Sequence, residues 1–263
     1  MNIALASAWR PRGEIQRFLQ IYKQIEPVYS AITISLPPSS DPEDIAPLKK
    51  LPKTTLTETQ DWSWGRHAAL RLASQSNPDF VHYTDFDRLV RWVETQPREW
   101  QECVEKVIPS GECVLFERSE KAWDTHPRAL RETEQLYKLI LSHFLGKLYD
   151  LSAGSKSFSR EATEFILANS PEIAGQSGRA LGTDGEWVLL LHRGGYTIKS
   201  QKVDGLDWEN VDRYREKAAT VSDQLSAAQA YDADPENWEH RVRIAKEIIE
   251  ASLEAARRPL IEP

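Results

Sequence analysis

The order of apolar and polar positions near the amino terminus predicts the start of a parallel α/β sheet. Ile3 to Trp9 is a largely apolar run with the length of a buried strand, and Ala31 to Leu36 is a second run that ends at two prolines. Between them, from Gly13 to Pro27, apolar residues recur at helical spacing. A strand, a helix and a second strand in this order form the βαβ unit of a parallel sheet.

Further segments of these two kinds continue the pattern as far as residue 205. More strands are predicted at Thr54 to Thr59, Phe80 to Thr84, Glu112 to Glu117 and Tyr196 to Val203. Two charged helices follow, at Trp208 to Tyr231 and Pro235 to Ala256. We therefore expect one α/β domain over residues 1–205, with a mixed, mostly parallel central sheet, and a C-terminal helical extension over residues 206–263.

The second C-terminal helix carries a single apolar stripe made of Ile244, Ile248, Ile249 and Leu253. Such a stripe is stable only when another surface covers it. Either the domain or a second chain could provide that surface, and the second option would produce a homodimer through the C-terminal helices.

Composition narrows the class of protein. The chain has 263 residues and a formal net charge of −7, and it lacks the basic stripe expected of a nucleic-acid-binding protein. Its two cysteines suggest ordinary thiols in a reducing cytoplasm. No apolar run approaches the ~20 residues of a membrane span. Nine tryptophans slightly favour a carbohydrate or base as ligand.

Two carboxylates follow one of the predicted strands and suggest a metal site. Asp85 and Asp87 come directly after Phe80 to Thr84. Residues i and i+2 of an extended chain point to the same side, so both carboxylates could converge just beyond the strand. Ligands of open α/β sheets bind at this edge, and carboxylate oxygens suit Mg²⁺ or Mn²⁺. The alternative is a surface turn without a metal.

A predicted helix before this strand offers a site for an anion. Ser63 is suited to cap a helix that runs to Ser74, and Arg66 lies in its first turn. A helix amino terminus binds phosphate through its free N–H groups, and an arginine can add a bidentate contact. Asp61 is placed to meet a base or a ribose instead.

Three patches of this sequence resemble glycosyltransferases of the GT-A fold, most closely those of the family 2-like group. The first patch is the helix and strand from Trp64 to Asp87, the second is Asp150 to Ala162, and the third is Leu181 to Ile198. The resemblance implies a Rossmann-like domain over residues 1–205 that binds a nucleotide sugar. It also implies that Asp85 and Asp87 form the DxD motif, which holds a divalent cation against the diphosphate.

The resemblance implies roles for further residues. Arg10 or Arg12, in the turn after the first strand, would meet the diphosphate, and the backbone of Gly154 would approach the sugar. Asp184 and Glu186 match the position of the catalytic acid, but the spacing differs from the usual Glu-Asp pair. That departure leaves open which acid acts, and whether the reaction inverts or retains the sugar configuration. The loop with Trp123, Asp124 and His126 is a weaker candidate for contact with sugar or acceptor.

The function expected from this resemblance is hexosyl transfer from a nucleotide diphosphate sugar to a hydroxyl of a small-molecule or glycan acceptor, with Mn²⁺ or Mg²⁺ as cofactor. Two alternatives stay open. One is a non-catalytic GT-A-like module for binding or assembly. The other is a sugar-phosphate nucleotidylyltransferase, which would need a glycine-rich basic loop where this chain has Ala6 to Gly13.

Overall fold

A seven-stranded sheet forms the centre of the molecule. The structure is a computed structural model and describes residues 1–10, 13–38, 40–59, 65–170, 182–210 and 214–261. The strands are β1 (Ile3–Ala8), β2 (Ala31–Leu36), β3 (Thr54–Glu58), β4 (Phe80–Thr84), β5 (Cys113–Arg118), β6 (Ser155–Ser159) and β7 (Ile198–Val203). Their order across the sheet is β3-β2-β1-β4-β6-β5-β7. Only β6 runs antiparallel to its neighbours, so the predicted mixed, mostly parallel α/β sheet is confirmed.

Helices cover both faces of the sheet. They are α1 (Ile15–Ile25), α2 (Pro42–Leu48), α3 (Gly65–Ser74), α4 (Phe86–Thr95), α5 (Pro97–Glu102), α6 (Glu120–Asp124), α7 (Arg128–Leu145), α8 (Arg160–Asn169), α9 (Thr183–Arg193), α10 (Val221–Asp232) and α11 (Pro235–Arg257). After α5 the chain continues through a π-helical turn at Cys103–Val107 and a 3₁₀ turn at Ile108–Ser110.

The alternation of side chains along β1 divides the apolar residues into two cores. Ile3 and Leu5 face the core formed with α1, α2 and α4, whereas Ala4 and Ala6 face the core formed with α3, α8 and α9. This is the period of two that a strand imposes on its side chains. A strand buried on both faces needs apolar residues at successive positions, which explains the run at the amino terminus.

The stripe on α11 packs on its own chain. Ile244 and Ile248 are buried in the second core, where α11 lies against α7 and α9. The sequence left open whether the domain or a second chain covers this stripe, and in the structure the domain covers it. A homodimer and the domain boundary at residue 205 both stay predictions.

The helix predicted from Trp208 to Tyr231 is wrong in its first half. Helix α10 begins only at Val221, and residues 206–210 after β7 are not helical. Buried ion pairs hold this segment in place: Arg91 contacts Asp207 at 2.6 Å and Glu209 at 2.7 Å, and Arg17 also pairs with Glu209. These tertiary contacts override the local helical preference.

Within the described ranges, no helix combines the length and the apolar character needed to cross a membrane.

A buried histidine on β4 forms hydrogen bonds with two hydroxyl groups. The ring of His82, which is 0% exposed, hydrogen-bonds through Nδ1 to the Tyr29 hydroxyl at 2.7 Å and through Nε2 to the Ser155 hydroxyl at 2.8 Å. Burial lowers the pKa of His82 to about 3. The folded protein therefore keeps this imidazole neutral at neutral and mildly acidic pH.

The lowered pKa of His82 predicts that stability depends on pH. Between pH 6.5 and about 3, the unfolded chain binds a proton at His82 that the folded protein excludes. Stability should therefore fall as the pH falls, by about 1.4 kcal/mol per pH unit for this group. In His82→Gln, the unfolding free energy measured with urea should depend less steeply on pH between pH 6 and 4, because the variant lacks the one proton that only the unfolded chain binds. Parallel curves for the two proteins would contradict the assignment.

Candidate active site

Four buried or partly buried charged side chains meet at the carboxyl edge of the sheet. Asp85 directly follows β4, Lys156 lies near the start of β6, Arg66 is on the first turn of α3, and Asp184 is on the first turn of α9. The carboxyl ends of parallel strands open onto one edge, so these elements converge there although they are far apart in sequence.

Arg66 is the centre of this cluster. Its Nη1 donates to Asp184 Oδ1 at 2.8 Å, and its Nη2 donates to the two carboxylate oxygens of Asp85 at 3.0 and 3.2 Å. Only 7% of Arg66 is exposed. The Tyr83 hydroxyl donates a further hydrogen bond to Asp85 Oδ1 at 2.7 Å. One guanidinium therefore joins α3 to the end of β4 and to the start of α9.

Lys156 completes the charge balance. Its ammonium group donates to Asp184 Oδ1 at 2.7 Å, and both side chains are almost fully buried. Burial alone would raise the pKa of Asp184, but Arg66 and Lys156 together lower it below the usual value of a carboxyl. Asp184 is thus held ionised, and two positive charges balance two negative ones.

Asp85 differs electrostatically from Asp184. Burial raises the pKa of Asp85; Arg66 opposes this effect, while the nearby charges of Asp184 and Asp87 add to it. Its side chain keeps 27% of its surface exposed, so it is the member of the cluster most open to solvent. Asp85 is therefore the carboxylate of this cluster that a ligand from solvent can reach most easily.

The local geometry expected for Asp85 and Asp87 is wrong. The chain is extended at Asp85, but α4 already begins at Phe86, so Asp87 lies on the first helical turn, where its Oδ1 accepts from the Arg88 N–H at 2.9 Å. The Phe86 ring stacks on Trp9 with centroids 4.5 Å apart, and this packing in the core favours the early helix start. The two carboxylates therefore do not point in one direction from an extended segment.

Gly154 supports Asp85 through its backbone. Its carbonyl accepts from the Asp85 N–H at 2.8 Å, and its φ of +84° is in the left-handed region. A Cβ at this position would lie 3.0 Å from Asp85 Oδ2 and 3.0 Å from Arg88 Cγ. Glycine therefore leaves space beside the carboxylate oxygen that a side chain would fill.

The residues present are compatible with a divalent cation. Asp85 and Asp87 offer hard oxygen ligands, and the absence of a side chain at Gly154 keeps space open at Asp85 Oδ2. Across the part of the chain that the structure describes, no group of three or more His, Cys, Asp or Glu side chains could hold a metal. A cation at this edge would thus depend on two carboxylates, with a substrate and water supplying the other ligands.

Two of the other predicted site residues, Arg10 and Glu186, lie outside the cluster. Arg10 is exposed beyond the end of β1, and Arg12 and Asp61 lie outside the described residues. Glu186 is on α9 but accepts from Arg258 Nη1 at 2.9 Å. Its carboxylate therefore fixes the C-terminal segment, and its catalytic role stays a prediction.

A second charged cluster lines a cleft of about 480 Å³ beyond the end of β5. Asp150 accepts from Arg118 Nε at 2.7 Å and from Lys138 at 2.6 Å, and Glu134 also pairs with Arg118. The Lys138 ammonium and the Arg118 guanidinium lie 3.5 and 4.4 Å from the ring centroid of Trp123. Arg118 and Lys138 are therefore already paired with carboxylates within the protein.

No protein-family model matches the sequence, and no curated protein matches it either. Solved structures do match. Mannosyl-3-phosphoglycerate synthase from Rubrobacter xylanophilus has a TM-score of 0.52 and 16% identity over 100% of this chain and 78% of that one. Glucosyl-3-phosphoglycerate synthase from Mycobacterium tuberculosis has a TM-score of 0.53 and 14% identity over 98% of this chain and 81% of that one.

Another structure of the Mycobacterium tuberculosis enzyme, in complex with Mn²⁺, UDP-glucose and phosphoglyceric acid, has a TM-score of 0.50 and 13% identity over 98% of this chain and 80% of that one. The chain has a GT-A fold. The predicted fold is therefore confirmed, and the Arg66 cluster lies at the carboxyl edge of a GT-A sheet.

Sequence reasoning missed the contact of Tyr83 with Asp85, and it did not predict β6, the strand that carries Lys156. The signal for Tyr83 was present: Tyr83 and Asp85 are both extended and two residues apart, so the i, i+2 rule applies to this pair. The same rule fails for Asp85 and Asp87, where a helix intervenes. Lys156 could be recognised as a member of the cluster only from the pairing of β4 with β6, which the sequence does not reveal.

The contact of Gly154 with Asp85 predicts a specific cost of substitution. Gly154→Ala should be destabilised both by its positive φ, which costs about 1 kcal/mol, and by the crowding of Asp85. Gly195→Ala is a matched control, because Gly195 has a φ of +82° and nothing within 4 Å of the added Cβ. Urea unfolding should show the larger loss for Gly154→Ala, and equal losses would exclude the crowding.

Proposed function

We propose that this protein is a glycosyltransferase that moves a sugar from a nucleotide diphosphate sugar to an acceptor hydroxyl. The observation that carries the proposal is the cluster of Arg66, Asp85, Lys156 and Asp184 at the carboxyl edge of a GT-A sheet. The similar fold of synthases that transfer glucosyl or mannosyl groups supports it. The free, buried thiols of Cys103 and Cys113 fit a reducing compartment, and we propose the cytoplasm.

In this proposal Asp85 and Asp87 hold a divalent cation, either Mn²⁺ or Mg²⁺. Mn²⁺ is the cation in the similar structure with UDP-glucose. Such a cation, when bound, stabilises the negative charge that develops on the leaving diphosphate. In this proposal Arg66, on the first turn of α3, adds a charge-assisted hydrogen bond to the same group.

Asp184 suits a positioning role better than that of a general base. A general base works best when its pKa lies near the operating pH, and Arg66 and Lys156 lower the pKa of Asp184 instead. A buried, ionised carboxylate holds the two cations that donate to it in a constant orientation. We therefore propose that Asp184 orients the transferred sugar through Arg66 and Lys156.

The cleft at Trp123 is proposed as the acceptor site. The segment from Asp150 to Gly154 links this cleft directly to Asp85. The charged lining consists of four carboxylates and three cations, which are Glu117, Glu120, Asp124, Asp150, Arg118, Lys138 and Lys202. A lining with this balance favours a neutral, hydroxyl-rich acceptor over an anionic one.

Donor binding predicts a cation-dependent thermal shift. With Mn²⁺, UDP or GDP at a hundredfold excess over its dissociation constant should stabilise the folded protein by ~2.7 kcal/mol, because the ligand binds only that state. The shift should disappear with a chelator and in Asp85→Asn/Asp87→Asn. Glu102→Gln, which changes an exposed surface carboxylate, is the control and should keep the shift. No shift with any nucleotide would leave the non-catalytic module as the better reading.

The acceptor proposal predicts which compounds accept the sugar. In an assay of nucleotide release from UDP- and GDP-sugars with Mn²⁺, neutral monosaccharides should accelerate turnover and phosphoglyceric acid should not. Trp123→Ala should raise the KM for the accepted monosaccharide about tenfold, because it removes a wall of the cleft and the ring on which Lys138 and Arg118 rest, while the KM for the donor stays unchanged. Turnover that is fastest with phosphoglyceric acid would contradict the proposed acceptor class.

A further inference from the structure

The Arg66 guanidinium already contacts the carboxylate that the proposed cation needs. Its Nη2 lies 3.0 and 3.2 Å from the two oxygens of Asp85, and the Tyr83 hydroxyl occupies a further acceptor position on Oδ1. Arg66 is almost fully buried, so water screens its charge poorly. A cation that approaches Asp85 therefore meets a positive charge that is already bound there.

The charge balance of the cluster makes this encounter unfavourable. Among the four side chains of the cluster, Arg66 and Lys156 balance Asp85 and Asp184 without any added ion, and Asp87 is a further carboxylate nearby. A divalent cation at Asp85 would add positive charge within a few ångströms of the guanidinium, and like charges repel strongly in a poorly solvated site. Tight binding requires either that the guanidinium leaves Asp85 or that an anion enters with the metal.

Arg66 is held in a way that allows it to leave one carboxylate and keep the other. Its two terminal nitrogens are divided: Nη1 contacts Asp184 and Nη2 contacts Asp85. The Asp184 contact is the deeper one, since only 5% of the Asp184 side chain is exposed against 27% of Asp85. Nη2 can therefore turn away from Asp85 while Nη1 stays in place.

We propose that Arg66 and the divalent cation compete for Asp85, and that a nucleotide diphosphate ends the competition by accepting the released guanidinium. This inference rests on the proposed function. It makes Arg66 a positioning residue that keeps the metal site closed to a cation alone. Cation and nucleotide diphosphate then bind as a pair, because the diphosphate supplies the negative charge for both Arg66 and the metal.

The test measures Mn²⁺ binding to the full chain in the absence of nucleotide, by the electron paramagnetic resonance signal of free Mn²⁺. Arg66→Gln/Asp184→Asn removes one positive and one negative charge, so the cluster stays balanced while Asp85 loses its competitor. This double variant should bind Mn²⁺ about tenfold more tightly than the wild type, which is within the usual range of coupling between sites.

Asp184→Asn is the matched control with the opposite expectation. It leaves Arg66 free to remain on Asp85 and makes the cluster more positive, so Mn²⁺ should bind no more tightly than in the wild type. Adding Asp85→Asn to the double variant should abolish the gain. If Arg66→Gln/Asp184→Asn does not fold, Arg66→Met/Asp184→Asn carries the same expectation, since an apolar side chain of similar volume often replaces a buried ion pair without loss of stability.

An unchanged or weaker Mn²⁺ affinity in the double variant would overturn the competition. A gain that survives Asp85→Asn would also overturn it, because the metal would then bind elsewhere. Neither readout involves a nucleotide, so failure here differs from failure of the proposed function, which is the absence of nucleotide-induced stabilisation in the wild type.

Discussion

The site depends on one buried guanidinium that serves two carboxylates. Without Arg66, Asp85 and Asp184 would face each other at the sheet edge with only Lys156 to balance them. Removal of one partner from a buried ion pair typically costs about 3–5 kcal/mol, because the remaining charge is left without compensation. The orientation of α3, β4 and α9 at this edge therefore depends on these ion pairs as well as on the apolar packing behind them.

Hydrophobic periodicity was enough to predict most of the fold. Strand β1 and helix α1 lie within the segments predicted from Ile3 to Trp9 and from Gly13 to Pro27, because each buries a regular set of apolar side chains. The same reasoning failed after β7, where the charged residues Asp207 and Glu209 resemble a solvated helix in sequence. In the structure they pair with Arg91, which lies more than a hundred positions earlier. Periodicity carries no information about such distant partners.

The candidate site shows the same limit. Asp85 could be recognised because it directly follows a strand, and Arg66 because it begins a helix at the same edge. The contact between Arg66 and Asp184 joins residues 118 positions apart, and Lys156 reaches Asp184 only because β6 is antiparallel to β4. The sequence therefore indicated which residues carry charge at the edge of the sheet, but not that their charges would cancel.

Helix α4 links the proposed metal ligands to the segment that follows β7. Its amino terminus carries Asp85 and Asp87, and one turn later Arg88 donates to the Asp207 carbonyl at 3.0 Å while Arg91 holds the Asp207 carboxylate. The segment after β7 is thereby attached to the same helix that presents the proposed metal ligands. The proposed metal ligands and the segment after β7 are thus positioned by the same helix, although more than a hundred residues separate Asp85 from Asp207 in the sequence.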